Sequence, residues 1–172
     1  RTHFPHSSHR FIKKTGRTTG WIGYTLSWTW RQFDNLNFGK PYPYKYDRRH
    51  DVSVVVSHQL NEHIDIAGTW VYGTGNAITL PVARYMAVNQ DGFYNEIQYI
   101  EEKNGFRMRS YPRLDLGINF RKKKTWFGHT FERTWNVSIY NVYNRKNPYF
   151  YFYSSDDWGN QVIKQISLFP VL

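Results

Sequence analysis

The chain of 172 residues contains no cysteine, so no disulfide supports its fold and the redox compartment leaves no mark on it. No apolar run approaches the roughly 20 residues that a membrane-spanning helix needs. This excludes helical spans but not strands that cross a membrane. Alternation dilutes the hydropathy of such strands, so a mean hydropathy of −0.69 is no proof of solubility. An initiator Met and a signal peptide are also missing at Arg1, and the expectation is that processing or truncation removed what came before.

Catalytic and metal-binding groupings are lacking as well. His3, His6 and His9 recur every third residue, but Pro5 and two serines interrupt them and no helix aligns the imidazoles, so no metal site is expected. Arg49-His50-Asp51 lacks triad spacing, and Gly73-Thr-Gly75 lacks the third glycine and the helix of a dinucleotide fingerprint. Glu101 and Glu102 are neighbours in a polar loop, and Asn136-Val-Ser138 is a sequon in mid-strand. No nucleophile, base and orienting group can be placed together, so neither enzymatic activity nor a cofactor is expected.

What is present is alternation. Phe, Trp and Tyr make up 19% of the chain against a hydrophobic total of 40%, so nearly half of the greasy surface is aromatic. From Ile22 the sequence sets Ile22, Tyr24, Leu26, Trp28 and Trp30 against Gly23, Thr25, Ser27 and Thr29. Period two means a strand with one apolar and one wet face. Residues 51–60 set Val52, Val54, Val56 and Leu60 against Asp51, Ser53, Ser57 and Gln59, with His58 and Val55 out of phase. Residues 64–75 repeat the pattern with Ile64, Ile66, Trp70 and Tyr72. It is cleanest over 111–121, where Leu114, Leu116, Ile118 and Phe120 oppose Arg113, Asp115, Gly117, Asn119 and Arg121. Such charges cannot enter a dry core unpaired, but they can line a wet lumen. A further strand is expected over 134–144 and a last one over 161–172.

Connections alternate in length. Residues 14–18 and 61–63 read as tight turns and 122–133 as a somewhat longer one. Residues 31–48, 76–110 and 147–160 read as long loops rich in Gly, Pro, Asn, Tyr and charge. Short turns on one side and long loops on the other match the periplasmic and extracellular ends of outer-membrane barrels. That assignment puts Trp28, Trp30, Trp70 and Tyr72 near the outer end and Trp126, Phe127 and Trp135 near the inner one, as two aromatic girdles. The net charge of +10 falls in short groups rather than one stripe: Lys13, Lys14 and Arg17; Lys45, Arg48 and Arg49; Arg107, Arg109 and Arg113; Arg121 to Lys124; Arg145 and Lys146. A solvated rim beside anionic lipid is favoured over a nucleic-acid groove, and no nucleic-acid partner is expected.

Five segments then carry a resemblance: Lys14-Thr-Gly-Arg-Thr-Thr-Gly-Trp21 with Tyr24-Thr-Leu-Ser27; Tyr46-Asp-Arg-Arg-His-Asp51; Trp70-Val-Tyr-Gly-Thr-Gly-Asn76 with Thr79-Leu-Pro81; Tyr111-Pro-Arg-Leu-Asp115; and Asn141-Val-Tyr-Asn-Arg-Lys-Asn-Pro148. In order and spacing, from about Lys13 to Leu172, the chain resembles the C-terminal barrel of TonB-dependent outer-membrane receptors, especially those of Bacteroidetes. The resemblance implies an all-β, antiparallel up-and-down transmembrane barrel segment. Residues 1–172 would supply about six to seven strands of a barrel of about 22. The plug, the partner-binding N-terminal segment and the earlier strands would lie elsewhere, and contact with the TonB complex would run through those absent parts. The family's terminal aromatic residue is missing from Leu168-Phe-Pro-Val-Leu172.

The implied function is receptor and transporter for a scarce nutrient, a ferric siderophore, an oligosaccharide or similar, in the cell outer membrane with lipid around it. Loops and inward strand ends would hold the cargo, and the candidates are Arg31, Tyr42, Tyr44, Arg84, Tyr85, Tyr94, Arg107 and Arg109. Two alternatives stand beside this one. The first is a soluble, basic, aromatic-rich β-domain that stacks on glycan or single-stranded nucleic acid. The second is a small self-contained outer-membrane barrel, which needs an even strand count and a terminal aromatic.

Overall fold

A computed structural model describes residues 2–158 and 161–168. The described residues form strands β1 (Thr2–His3), β2 (His6–Lys13), β3 (Thr18–Ser27), β4 (Trp30–Arg31), β5 (Tyr42–Pro43), β6 (His50–Gln59), β7 (Ile64–Gly73), β8 (Ala77–Ile78), β9 (Ala83–Val88), β10 (Tyr94–Tyr99), β11 (Phe106–Arg107), β12 (Tyr111–Trp126), β13 (His129–Ile139), β14 (Asn147–Ser155) and β15 (Gln161–Leu168), with one 3-10 turn at Asn37–Gly39. The class is all-β and the pairings given for these strands are antiparallel. Among the described residues no sheet closes into a barrel.

The chain divides into two units. One comprises residues 8–25, 50–73 and 110–172 and is built on a six-stranded sheet of order β13-β12-β7-β6-β3-β2. Each long strand lies beside the next in the chain, which is the up-and-down order that alternating turns and loops lead one to expect. Register fixes the faces. Val54 lies opposite Trp70 and Trp70 opposite Leu114, while Val56, Gly68, Leu116 and Ile139 form the next row. A third row is His58, Ile66, Ile118 and Val137. On the other face Val55, Thr69 and Asp115 share a row, as do Gln59, Asp65, Asn119 and Asn136. The expected alternation is therefore the observed one in these strands.

The apolar face is open. Ile22, Val56, Ile66, Leu116, Phe120, Trp135, Val137 and Ile139 are each 39–59% exposed, and the unit buries no apolar side chain among its described residues. Its buried side chains are polar: Asp65, Asn141 and Asn147. On the wet face Arg121 forms an ion pair with Asp65. Arg113 lies 3.0 Å from Asp115 and also donates to the Tyr140 hydroxyl at 2.7 Å. Asn136 bonds Asn119 at 2.7 Å. Even His58, which interrupts the apolar face, is matched, since its Nδ1 lies 2.7 Å from the Thr18 hydroxyl.

Several sequence expectations need correction here. Residues 122–133 are not a loop: β12 and β13 continue through them to a tight turn at Trp126–His129, with Phe127 at φ 49° and Gly128 at φ 75°. The charges of Lys122, Lys123 and Lys124 suggested a loop, yet an exposed hairpin tolerates charge on both faces. The following strand runs over His129–Ile139 rather than 134–144. It stops because Asn141 takes a left-handed φ of 55° and its N–H caps the Asp115 carboxylate at 2.9 Å. The loop expected over 147–160 holds β14, which pairs with β15 across a register shift between Pro148 and Phe150. Its run of Tyr and Phe has no alternation to betray it. The strand expected over 161–172 is seen as Gln161–Leu168, and residues 169–172 lie outside the described residues. The residues ahead of Lys13, where the resemblance begins, include an edge strand, β2, exposed along its whole length.

The other unit comprises residues 1–7, 26–49 and 74–109. It holds a three-stranded sheet of order β1-β4-β5, the β8–β11 pair and the β9–β10 hairpin. Tyr42 and Ala77 are its buried apolar residues and Asp47 its buried acid. The two segments expected as long loops, 31–48 and 76–110, thus carry short strands of their own. The Asn-Gln-Asp-Gly sequence at 89–92 is the turn signal that marks the β9–β10 hairpin.

Candidate functional site

All eight candidate residues fall in the unit formed by residues 1–7, 26–49 and 74–109. Its centre is Asp47, 1% exposed. A backbone turn places it, with the Asp47 N–H donating to the Tyr44 carbonyl at 2.9 Å. A carboxylate removed from water is costly unless it is paired and hydrogen-bonded, and Asp47 is both. It accepts the Thr29 N–H at 2.6 Å, forms an ion pair with Arg107, and has the Arg49 guanidinium at 3.7 Å. Arg107 goes on to donate to the Asp47 carbonyl at 2.9 Å and the Gly75 carbonyl at 3.3 Å. The β8–β11 pairing, with Arg107 opposite Ala77, aims that guanidinium. Gly75 is obligatory, because a Cβ there would fall 1.7 Å from the Met108 carbonyl oxygen.

Around this lock the aromatic rings take up cations. The Arg31 guanidinium lies 3.8 Å from the centre of the Tyr44 ring, Arg49 lies 5.2 Å from Trp28, and Lys103 lies 5.8 Å from Tyr42. Tyr44 and Tyr46 meet edge to face at 5.5 Å. The pairing of β4 with β5 sets Arg31 opposite Tyr42. Asn104, at a left-handed φ of 55°, ties the loop below with bonds from its side-chain amide to the Pro43 carbonyl at 2.9 Å and from its N–H to the Thr79 hydroxyl at 3.0 Å.

The candidates therefore sort into three groups. Arg31, Tyr42 and Tyr44 come together, with Tyr42 buried beneath and the other two half-buried. Arg107 belongs to the lock on Asp47, so its charge is answered within the protein. Arg84, Tyr85 and Tyr94 sit on the β9–β10 hairpin, where Arg84 pairs with Glu96 at 2.5 Å and the two tyrosines are 53% and 71% exposed. Arg109 stands apart on the exposed segment after β11. The sequence alone did not single out Asp47, although it lies inside the Tyr46-Asp-Arg-Arg-His-Asp51 segment, nor Glu96 as the partner of Arg84. The signal for Asp47 was an acid placed beside two arginines in a turn.

Among the described residues no three His, Cys, Asp or Glu side chains converge as metal ligands would. Comparison with protein families, with curated proteins and with solved structures gives no match.

Proposed function

We propose that the chain is the C-terminal part of the β-barrel of a TonB-dependent outer-membrane receptor of the Bacteroidetes type. In this role it forms barrel wall and cargo-binding rim, and the whole receptor imports a scarce nutrient with TonB-coupled energy. The observation that carries the proposal is the inside-out sheet: apolar rows exposed on one face, ion pairs and amide ladders on the other. A soluble sandwich buries its apolar face against a second layer. Lipid is the solvent that suits this one. The ten-residue lengths of β3, β6 and β7 also fit, since a tilted strand needs about 9–11 residues to cross the hydrocarbon.

An open sheet leaves β2 and β13 with unpaired edges, and each unsatisfied backbone group in hydrocarbon costs several kcal/mol. Further strands must therefore close it, which favours a share of a larger barrel over a small self-contained one. Cargo would meet the β9–β10 hairpin and the Arg31–Tyr44 pair, where rings and cations are presented together. A soluble glycan- or nucleic-acid-binding domain is the poorer account, because it leaves the exposed Val56, Ile66, Leu116 and Val137 without a covering layer.

The test is the behaviour of the isolated chain. With open edges and an apolar face it should aggregate or require detergent. A sharp monomeric peak at neutral pH without detergent, with cooperative unfolding, overturns the proposal.

A further inference from the structure

The end of the sheet at the β2–β3 turn carries an unusual combination of surfaces. A groove of about 290 Å³ is lined by Phe11, Lys13, Gly20, Ile22 and Val56 among others. Arg10 stacks on Trp21 at 4.7 Å, and Trp21 shares a face with Gly23, whose absent side chain would meet its ring at 3.1 Å. Alternation then puts Phe11 and Lys13 of β2 on the opposite, apolar face, with Gly20, Ile22 and Val56. Gly20 has to be glycine, because a Cβ would fall 2.2 Å from the Val55 carbonyl oxygen. The neighbouring backbone thus fills the place of a side chain, and Gly20 forms a flat floor to the groove. Phe11, Ile22 and Val56 around it are 72%, 49% and 41% exposed, respectively.

Lys13 is the charged residue in the lining of the groove, and Lys14 and Arg17 stand in the same hairpin. Lys13, Lys14 and Arg17 are exposed and form no ion pair among the described residues. Elsewhere the arginines Arg84, Arg107, Arg113 and Arg121 each have a carboxylate. A greasy slot beneath unanswered cations is complementary to one amphiphile, with an acyl chain below and a phosphate above.

We propose that this groove binds an anionic phospholipid. An acyl chain lies over Gly20 between Phe11, Ile22 and Val56, and the phosphate is held by Lys13 and Arg17. The inference rests on the membrane reading, and it places the lipid in the leaflet on the side of the tight turns.

The experiment uses the chain refolded in neutral detergent and supplied with phosphatidylglycerol or phosphatidylcholine, with retained lipid counted by native mass spectrometry. The expected result is at least tenfold preferential retention of phosphatidylglycerol. The paired substitution Lys13→Glu with Arg17→Glu, on exposed turn residues, should abolish that preference. Val56→Trp should fill the groove and reduce retention of both lipids. Equal retention of the two lipids by the unaltered chain, or a preference unmoved by either variant, overturns the site. Quenching of tryptophan fluorescence by brominated phosphatidylcholine vesicles is the separate readout for the membrane reading. Quenching without lipid preference fails the groove alone, whereas no quenching fails the reading beneath it.

Discussion

The two units of this chain are held by opposite logics. In the unit around Asp47 a buried carboxylate gathers a backbone N–H and two guanidiniums, and Tyr42 and Ala77 lie buried. In the six-stranded unit the hydrogen-bonded ladder is long and regular, but the apolar rows face outward and the ion pairs face the other way. The first is ordered by contacts it makes with itself. The second presents apolar side chains to its surroundings. Buried polar pairs can stand in for a core where loops must be shaped, and under the proposed function lipid would take that part for the sheet.

The largest effect should come from breaking the lock. Arg107→Ala leaves the Asp47 carboxylate buried with its main partner gone, and should destabilise the loops by about 3–5 kcal/mol. Limited proteolysis should then cut within residues 74–109 while the β12–β13 ladder survives. Simultaneous loss of both units would erase the distinction between them.

Next is the test of faces. Val54→Arg puts a cation among the apolar rows and should cost about 2–4 kcal/mol in lipid vesicles, while Ser53→Arg on the wet face should cost much less. Reversible denaturation of the two variants measures the difference. Greater damage from Ser53→Arg would mean that the faces are reversed. A smaller effect, about 1–3 kcal/mol, is expected for Arg121→Met, which strips Asp65 of its ion pair. The same denaturation series reads it.

The smallest change in stability, within about 0.5 kcal/mol, is expected for Tyr85→Ala and Tyr94→Ala on the exposed hairpin. Under the proposed function, uptake of cargo by cells carrying the whole receptor should nevertheless fall, and unchanged uptake would remove the hairpin from the site. Epitopes inserted at Gly39 or Gly92 should be labelled on intact cells and one at Asn61 should not. The reverse pattern would invert the topology.

The strands that alternate were legible in the sequence. Residues 51–60 and 64–75 emerge within one or two residues at each end because burying Val54 or Trp70 on the wrong face would disturb a whole row. What was missed lacked that signal. Tyr149 to Tyr153 is aromatic at every position, so β14 has no period to detect, and Lys122 to Lys124 carries charge on successive residues, which leaves no apolar face to mark a strand. The ladder beyond Ser27 stops where Trp28 turns to bond the Pro5 carbonyl, a contact between residues too far apart for pattern to reveal. In the candidate site, residue types identified the rings and cations but not their partners. Which arginine finds Asp47 depends on the pairing of β8 with β11, two strands of two residues each.

The unequal strand lengths also set a distance. β7 stops pairing with β12 at Ile64 and Phe120, yet β12 runs on to Trp126 and β13 returns from His129. At about 3.4 Å per residue the overhang is about 20 Å. It carries Lys122, Lys123, Lys124 and Arg133, and ends in a turn where Phe127 is 86% exposed. In the proposed barrel this hairpin reaches past the ends of its neighbours, so Trp126 and Phe127 at its tip lie beyond the inner girdle to which the sequence pattern assigned them. That reach is about two-thirds of the thickness of a bilayer's hydrocarbon core.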